Sequence, residues 1–168
     1  GTNIASGSAI IIDTTAPTVI SFTSTTADGS YKSAGTVNIT ATVSETIVSG
    51  NTITVTLDTS DNVTLTAAAN GTTLVGTYTV SSGDTSSDLN VSSFSIGTVT
   101  DSAGNAMTST TVPATNIATG SAIVIDNTVP TIISFTSTTA DGSYKSTGTV
   151  NITATASEAV VSGNTITV

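Results

Sequence analysis

Residues 21–33 read SFTSTTADGSYKS, and the same thirteen letters return at residues 134–146. The match runs far beyond them. At an offset of 113, Gly1–Val55 lies over Ala114–Val168, and ten of the 55 aligned pairs differ. Apart from Gly1/Ala114 and Thr14/Asn127, the differences are Ser/Thr swaps or exchanges among small, aliphatic and threonine residues. A solenoid repeats every 20 to 50 residues or so. A period of 113 is instead the size of a domain able to bury its own core. The expected organisation is an array: residues 1–13 close a preceding repeat, 14–126 form a complete one, and 127–168 open the next with about three strands.

Within the repeat the apolar residues alternate. In GTVNITATV, Val37, Ile39, Ala41 and Val43 point one way and Thr36, Asn38, Thr40 and Thr42 the other; in NTITVTL, Ile53, Val55 and Leu57 share a face. Alternation over short segments marks half-buried strands. Seven are expected, over residues 16–24, 35–43, 51–57, 62–68, 73–80, 91–100 and 121–125. The turn signals ADGS, SG, DTSD, ANGT, SSGD and DSAGN separate them. No stretch carries a helical period with caps, and the pairing of AMTSTTV and PATNIATG is left open. Seven strands at this spacing imply an all-β fold, an immunoglobulin-like β-sandwich repeated in tandem. Phe22, Tyr78 and Phe94 are expected in the core.

Composition narrows the chemistry. The chain has no cysteine and no histidine, which removes thiol chemistry, the usual zinc and haem sites, and triads that need histidine. Two lysines, Lys32 and Lys145, stand against eleven acids, for a net charge of −9. Nucleic acid and anionic membrane surfaces both call for a basic face, so neither is an expected partner. No apolar run approaches the roughly 18 residues of a membrane span. An acidic chain suits divalent cations.

The segments DNTVPTI, STTADGSYKS, SEAVVSGN, SSGDTSSDLNV, DSAGNAM and SAIVID together resemble the bacterial immunoglobulin-like repeats strung along giant surface adhesins and biofilm-associated proteins. The resemblance covers the whole chain. It implies an extracellular, secreted or surface-anchored spacer, tandemly repeated, often with calcium at the domain junctions.

The sandwich order sends the acids to the two poles. The incoming pole collects Asp13, Glu45, Asn70, Asp101 and Asn105; the outgoing pole collects Asp28, Asp58, Asp61, Asp84 and Asp88, with Asp126 at the exit. Aspartate and asparagine are common in turns, but glutamate is not a turn residue. Glu45 and Glu158, the only two glutamates, are repeat-equivalent, and each is expected just after a strand. Calcium takes six to eight oxygens. Asp13, Glu45, Asp101 and Asn105 are the candidate ligands at one junction. Asp126 and Glu158, with Asp28 or Asp88, are the candidates at the next, before Pro130.

Asn38, Asn62, Asn70, Asn90 and Asn151 head N-x-S/T triplets that composition alone explains. The alternating threonines are expected to be ordinary solvent-facing strand positions. Tyr31 and Tyr144, in polar loops, are expected to pack on a neighbouring domain or to serve as exposed ligand contacts. Three functions compete. The leading one is a structural extender whose partners are neighbouring repeats and other copies in a fibre or matrix. The second is a self-assembling filament subunit using strand donation between chains. The third is a glycan-binding module, for which the few aromatics and lack of tryptophan offer little. No enzyme is expected: paired carboxylates could serve a glycosidase, but these lie in turns that the repeat duplicates.

Overall fold

The computed structural model describes residues 10–168. The chain divides into two compact units, one ending at Asn127 and the other spanning Thr128–Val168. In the first unit the strands are β1 (Val19–Thr23), β2 (Gly29–Tyr31), β3 (Thr36–Ile47), β4 (Thr52–Leu57), β5 (Asn62–Thr66), β6 (Gly71–Thr79), β7 (Val91–Thr98) and β8 (Ile123–Ile125), with one helical turn, α1 (Ile117–Gly120), before β8. No helix among the described residues is long and apolar enough to cross a membrane.

Six strands form one antiparallel sheet in the order β1-β3-β6-β5-β4-β7. Laid flat, its edge strands β1 and β7 would stand five strand spacings apart, about 24 Å. Yet Phe22 of β1 and Phe94 of β7 meet edge to face, with ring centroids 5.6 Å apart. The sheet therefore curls until its two edges share one core. The bend falls between β5 and β6, which are joined by the single pair Thr66↔Val75. Gly76 allows the close approach there, because a Cβ on it would lie 2.6 Å from both Leu65 Cδ2 and the Thr64 carbonyl oxygen.

The sequence alternation becomes the core. Val37, Ile39, Ala41 and Val43 of β3, Ile53, Val55 and Leu57 of β4, and Leu65, Leu74, Tyr78 and Phe94 are all buried in one cluster. Phe22, Tyr78 and Phe94 are 0%, 2% and 6% exposed, as the sequence leads one to expect. Thr40 and Thr42, on the other face of β3, are only half-buried.

Several elements differ from expectation. β1 starts at Val19 rather than residue 16. The ADGS stretch, read as a turn, supplies most of β2, which pairs in parallel with β8 through Gly29↔Ile123, Ser30↔Val124 and Tyr31↔Ile125. Its partner lies 94 residues away, so no local pattern announces it. PATNIATG, which the sequence leaves open, ends in α1. Asn116 caps that turn, its side chain accepting from Ile117 N and also taking Val91 N and giving to Val91 O. AMTSTTV, after the DSAGN turn, pairs through the Thr100↔Ala106 bridge and Met107 N to Val99 O, and Thr115 O then accepts from Phe22 N of β1. The last strand expected within residues 1–13 falls partly outside the described residues; its described part, Ile10–Ile12, is exposed and forms no strand.

The second unit pairs β9 (Ile132–Thr136) with β10 (Thr153–Ala156). At the 113-residue offset its register is that of β1 on β3, residue for residue: Phe135↔Ala154 matches Phe22↔Ala41, and the irregularity next to Ile132 matches the one next to Val19. The third strand expected in this unit, NTITV at 164–168, is not formed.

Two mutational tests follow from the curled sheet. A double-mutant cycle on Phe22→Ala and Phe94→Ala, read by urea unfolding, is expected to give a coupling of about 0.5–1.5 kcal/mol. Additivity would contradict contact between the sheet edges. Ile39→Asp buries an unpaired charge and is expected to cost several kcal/mol, a large part of a stability of roughly 5–15 kcal/mol, whereas Thr40→Asp costs far less. Equal losses would contradict the β3 register.

Candidate metal centre

The inward row of β3 does not stop at Val43. Burial keeps its two-residue period through Ser44, Glu45 and Thr46 to Ile47, which is fully buried. Glu45 was expected in a turn; it occupies instead an inward slot of the strand, between Val43 and Ile47. The strand continues because Ile47 pairs with Gly71 of β6 and bridges Asp101. A carboxylate is thus carried in the core-facing row to the end of the sheet.

Two further acids meet it there. One carboxylate oxygen from each of Asp13, Glu45 and Asp101 lies within 4.8 Å of the other two. Asp101 is 3% exposed. Its turn is tightly specified: Asn105 N donates to Asp101 Oδ1 (2.7 Å), Asn105 Nδ2 donates to Asp101 Oδ2 (2.7 Å), and Gly104 adopts φ 94°. Asn105 Nδ2 also reaches the Asp13 carbonyl oxygen at 3.2 Å. The four residues proposed from sequence for this pole therefore come together, Asn105 as the connector between two of the acids.

The electrostatics are uneven. Asn105 holds the Asp101 carboxyl below the ordinary aspartate range, against the opposing effect of burial. Burial raises the Glu45 carboxyl, and the charges of Asp13 and Asp101 raise it further. Glu45 Oε1 is buried with no hydrogen-bond partner, and so is Oε1 of its repeat-equivalent Glu158 in the second unit. Among the described residues of the first unit no side-chain cation is at hand. Lys32, the only basic residue of the first unit, precedes β3, while Glu45 lies near its far end, about 30 Å along the strand. The Debye length in physiological salt is about 8 Å.

The acids of the opposite pole are used differently. Asp84 Oδ2 accepts from Tyr78 OH and Ser81 N, both at 2.6 Å. Asp61 Oδ2 accepts from Ser81 Oγ, and its carboxyl is raised by hydrogen bonding to Asp84. Burial and the bond to Asp84 push the Tyr78 phenol up. Asp58 accepts from Ser86 Oγ and Asn90 N, and Asp28 accepts from Ala122 N. Asp88 donates its amide to Ser86 Oγ, and Asp126 its amide to Tyr31 O. Asp28, Asp88 and Asp126 are not part of the converging group Asp13, Glu45 and Asp101, and Glu158 lies in the second unit.

Asparagines carry structural roles that triplet counting does not reveal. Asn38 Oδ1 gathers Ser24 Oγ, Thr25 N and Thr26 Oγ1, and Asn151 repeats this on residues 137–139. Buried Asn51 accepts from Thr100 N. Tyr31 and Tyr144 each return their hydroxyl to a carbonyl four residues back, Ala27 and Ala140.

The sign of the Glu45 shift gives a pH test. A carboxyl raised on folding binds more protons in the folded state, so without a cation stability falls as pH climbs from about 4.5 through the raised value. Asp101, lowered, contributes stability that is lost only as pH drops below the ordinary aspartate range. In chelator, Glu45→Gln is expected to unfold at a higher temperature than the parent at pH 7 and at the same temperature at pH 4. A pH-independent difference would contradict the strain assigned to Glu45.

Comparison of the chain with protein-family models, with curated proteins and with solved structures finds no match.

Proposed function

We propose that this chain is a structural extender, a piece of a tandem array of immunoglobulin-like β-sandwiches in a long extracellular adhesin or surface fibre, stiffened by calcium. The observation that carries the reading is the convergence of Asp13, Glu45 and Asp101 with one carboxylate oxygen left without a partner. Hard cations such as calcium take carboxylate and carbonyl oxygens, and every candidate ligand here offers oxygen. Asp13 comes from the incoming chain, Glu45 from the end of β3 and Asp101 from the turn after β7. A cation bound to all three would tie the incoming segment to the sheet. Pro17, four residues after Asp13, restricts the same segment further.

The sandwich reading draws on the curl that brings the two halves of the sheet, β1-β3-β6 and β5-β4-β7, onto one core. The array reading draws on the 113-residue duplication and on the shared register of the β1–β3 and β9–β10 pairs. The role is mechanical: the repeat holds other parts of a protein at a distance and performs no reaction.

Calorimetric titration separates the outcomes. The chain is expected to bind calcium with a dissociation constant of about 10⁻⁴ to 10⁻³ M, the range of extracellular modules. Glu45→Gln is expected to weaken binding at least tenfold while the unit stays folded. Absence of binding heat at millimolar calcium would end the calcium mechanism and leave the spacer standing. Sedimentation that shows growth with protein concentration would favour the filament.

A further inference from the structure

The residue at which the chain leaves the first unit is one of the ten at which the two copies differ. Asn127 stands where Thr14 stands one period earlier. Its carboxamide makes three hydrogen bonds to two loops remote in sequence. Oδ1 accepts from Ser33 N at 2.6 Å; Nδ2 donates to the Ser81 and Asp84 carbonyl oxygens at 3.0 and 2.9 Å.

Each loop has hydrogen bonds of its own, and Ala34 N to Val80 O links the first to the start of the second. Ser33 lies in a turn closed by Gly35 N to Lys32 O and Ala34 N to Val80 O, with Ala34 in the left-handed region at φ 70°. The 81–84 turn is closed from inside by the Asp84 carboxylate, which holds Ser81 N and the hydroxyl of buried Tyr78. The residue before, Asp126, is pinned by its amide to Tyr31 O. Asn127 thus fastens the end of the chain's path through this unit to two hydrogen-bonded loops.

We propose that residue 127 is a positioning residue that acts as an exit clamp, and that its identity decides whether the chain leaves a unit on a fixed heading. The three bonds need two donors and an acceptor in one plane, which a carboxamide supplies. Threonine has a single hydroxyl hydrogen on a shorter side chain and cannot serve both loops. Aspartate keeps the acceptor for Ser33 but loses both donors, and sets its charge against two carbonyl oxygens. Asn and Thr at this position therefore specify two classes of junction, with and without the clamp. The clamp uses no cation, so stiffness has a second source besides the proposed calcium site; only its purpose rests on the extender reading.

The test is amide hydrogen exchange and ¹⁵N relaxation on the full chain, in chelator and in millimolar calcium. In the parent, the Ser33 amide is expected to be protected in both conditions, and Thr128 and Val129 to show order parameters near the rigid value of about 0.85. Asn127→Thr is expected to speed Ser33 exchange at least tenfold and to drop Thr128 and Val129 below about 0.6, with the Ile39 and Ile125 amides still protected. Asn127→Asp is expected to keep Ser33 protection while loosening Thr128 and Val129. Unchanged exchange and order in Asn127→Thr would overturn the clamp. Joint loss of Ile39 protection would overturn it too, by making Asn127 a general fold contact. Order in the parent that requires calcium would overturn its independence. The Asn127→Thr and Asn127→Asp results do not depend on whether calcium binds Asp13, Glu45 and Asp101.

Discussion

The inward row of β3 is the constraint on which the first unit depends. Val37, Ile39, Ala41, Val43, Glu45 and Ile47 occupy the core-facing row of the strand, and the row keeps its period of two across the shift in β3–β6 pairing between Thr42 and Ile47. Five are apolar and buried. They share one buried cluster with Phe22 and Phe94, which meet edge to face. The sixth is a carboxylate. Because Ile47 beyond it must stay dry, Glu45 is drawn into the margin of the core, where losing water raises its proton affinity. Asp13 and Asp101 then add their charges to the same small volume.

The two poles share a composition but differ in chemistry. At the outgoing pole each of Asp28, Asp58, Asp61 and Asp84 has a hydroxyl or amide donor from a neighbouring turn. Those carboxylates close loops, and their hydrogen bonds are the reason for their presence. At the incoming pole Asn105 satisfies Asp101, but Glu45 Oε1 is left bare. Three acids without a basic neighbour are a costly way to close a turn and an economical way to hold a cation. The outgoing pole has its own device in Asn127, which fastens the exit without charge.

Much of this was legible in the sequence. The duplication fixed the repeat length, and the alternation in GTVNITATV and NTITVTL gave the buried rows of β3 and β4. The assignment of acids to poles brought Asp13, Glu45, Asp101 and Asn105 to one place. What escaped was non-local or too short to carry a pattern. β2 is three residues whose partner, β8, lies 94 residues on. α1 is a single turn that depends on Asn116 reaching Val91. The strand expected over 35–43 runs on to Ile47, and Glu45 hides this because a carboxylate interrupts the apolar period. Asn127 was visible as a Thr/Asn difference, but its meaning required Ser33, Ser81 and Asp84 to be seen in one place.

Anomalous diffraction from crystals grown in millimolar calcium tests the central claim most directly. The expected result is one calcium peak at the incoming pole, about 2.3–2.6 Å from carboxylate oxygens of Asp13, Glu45 and Asp101, with Glu45 Oε1 among the ligands. A pole without a peak, in crystals where calcium is bound elsewhere on the chain, would contradict it.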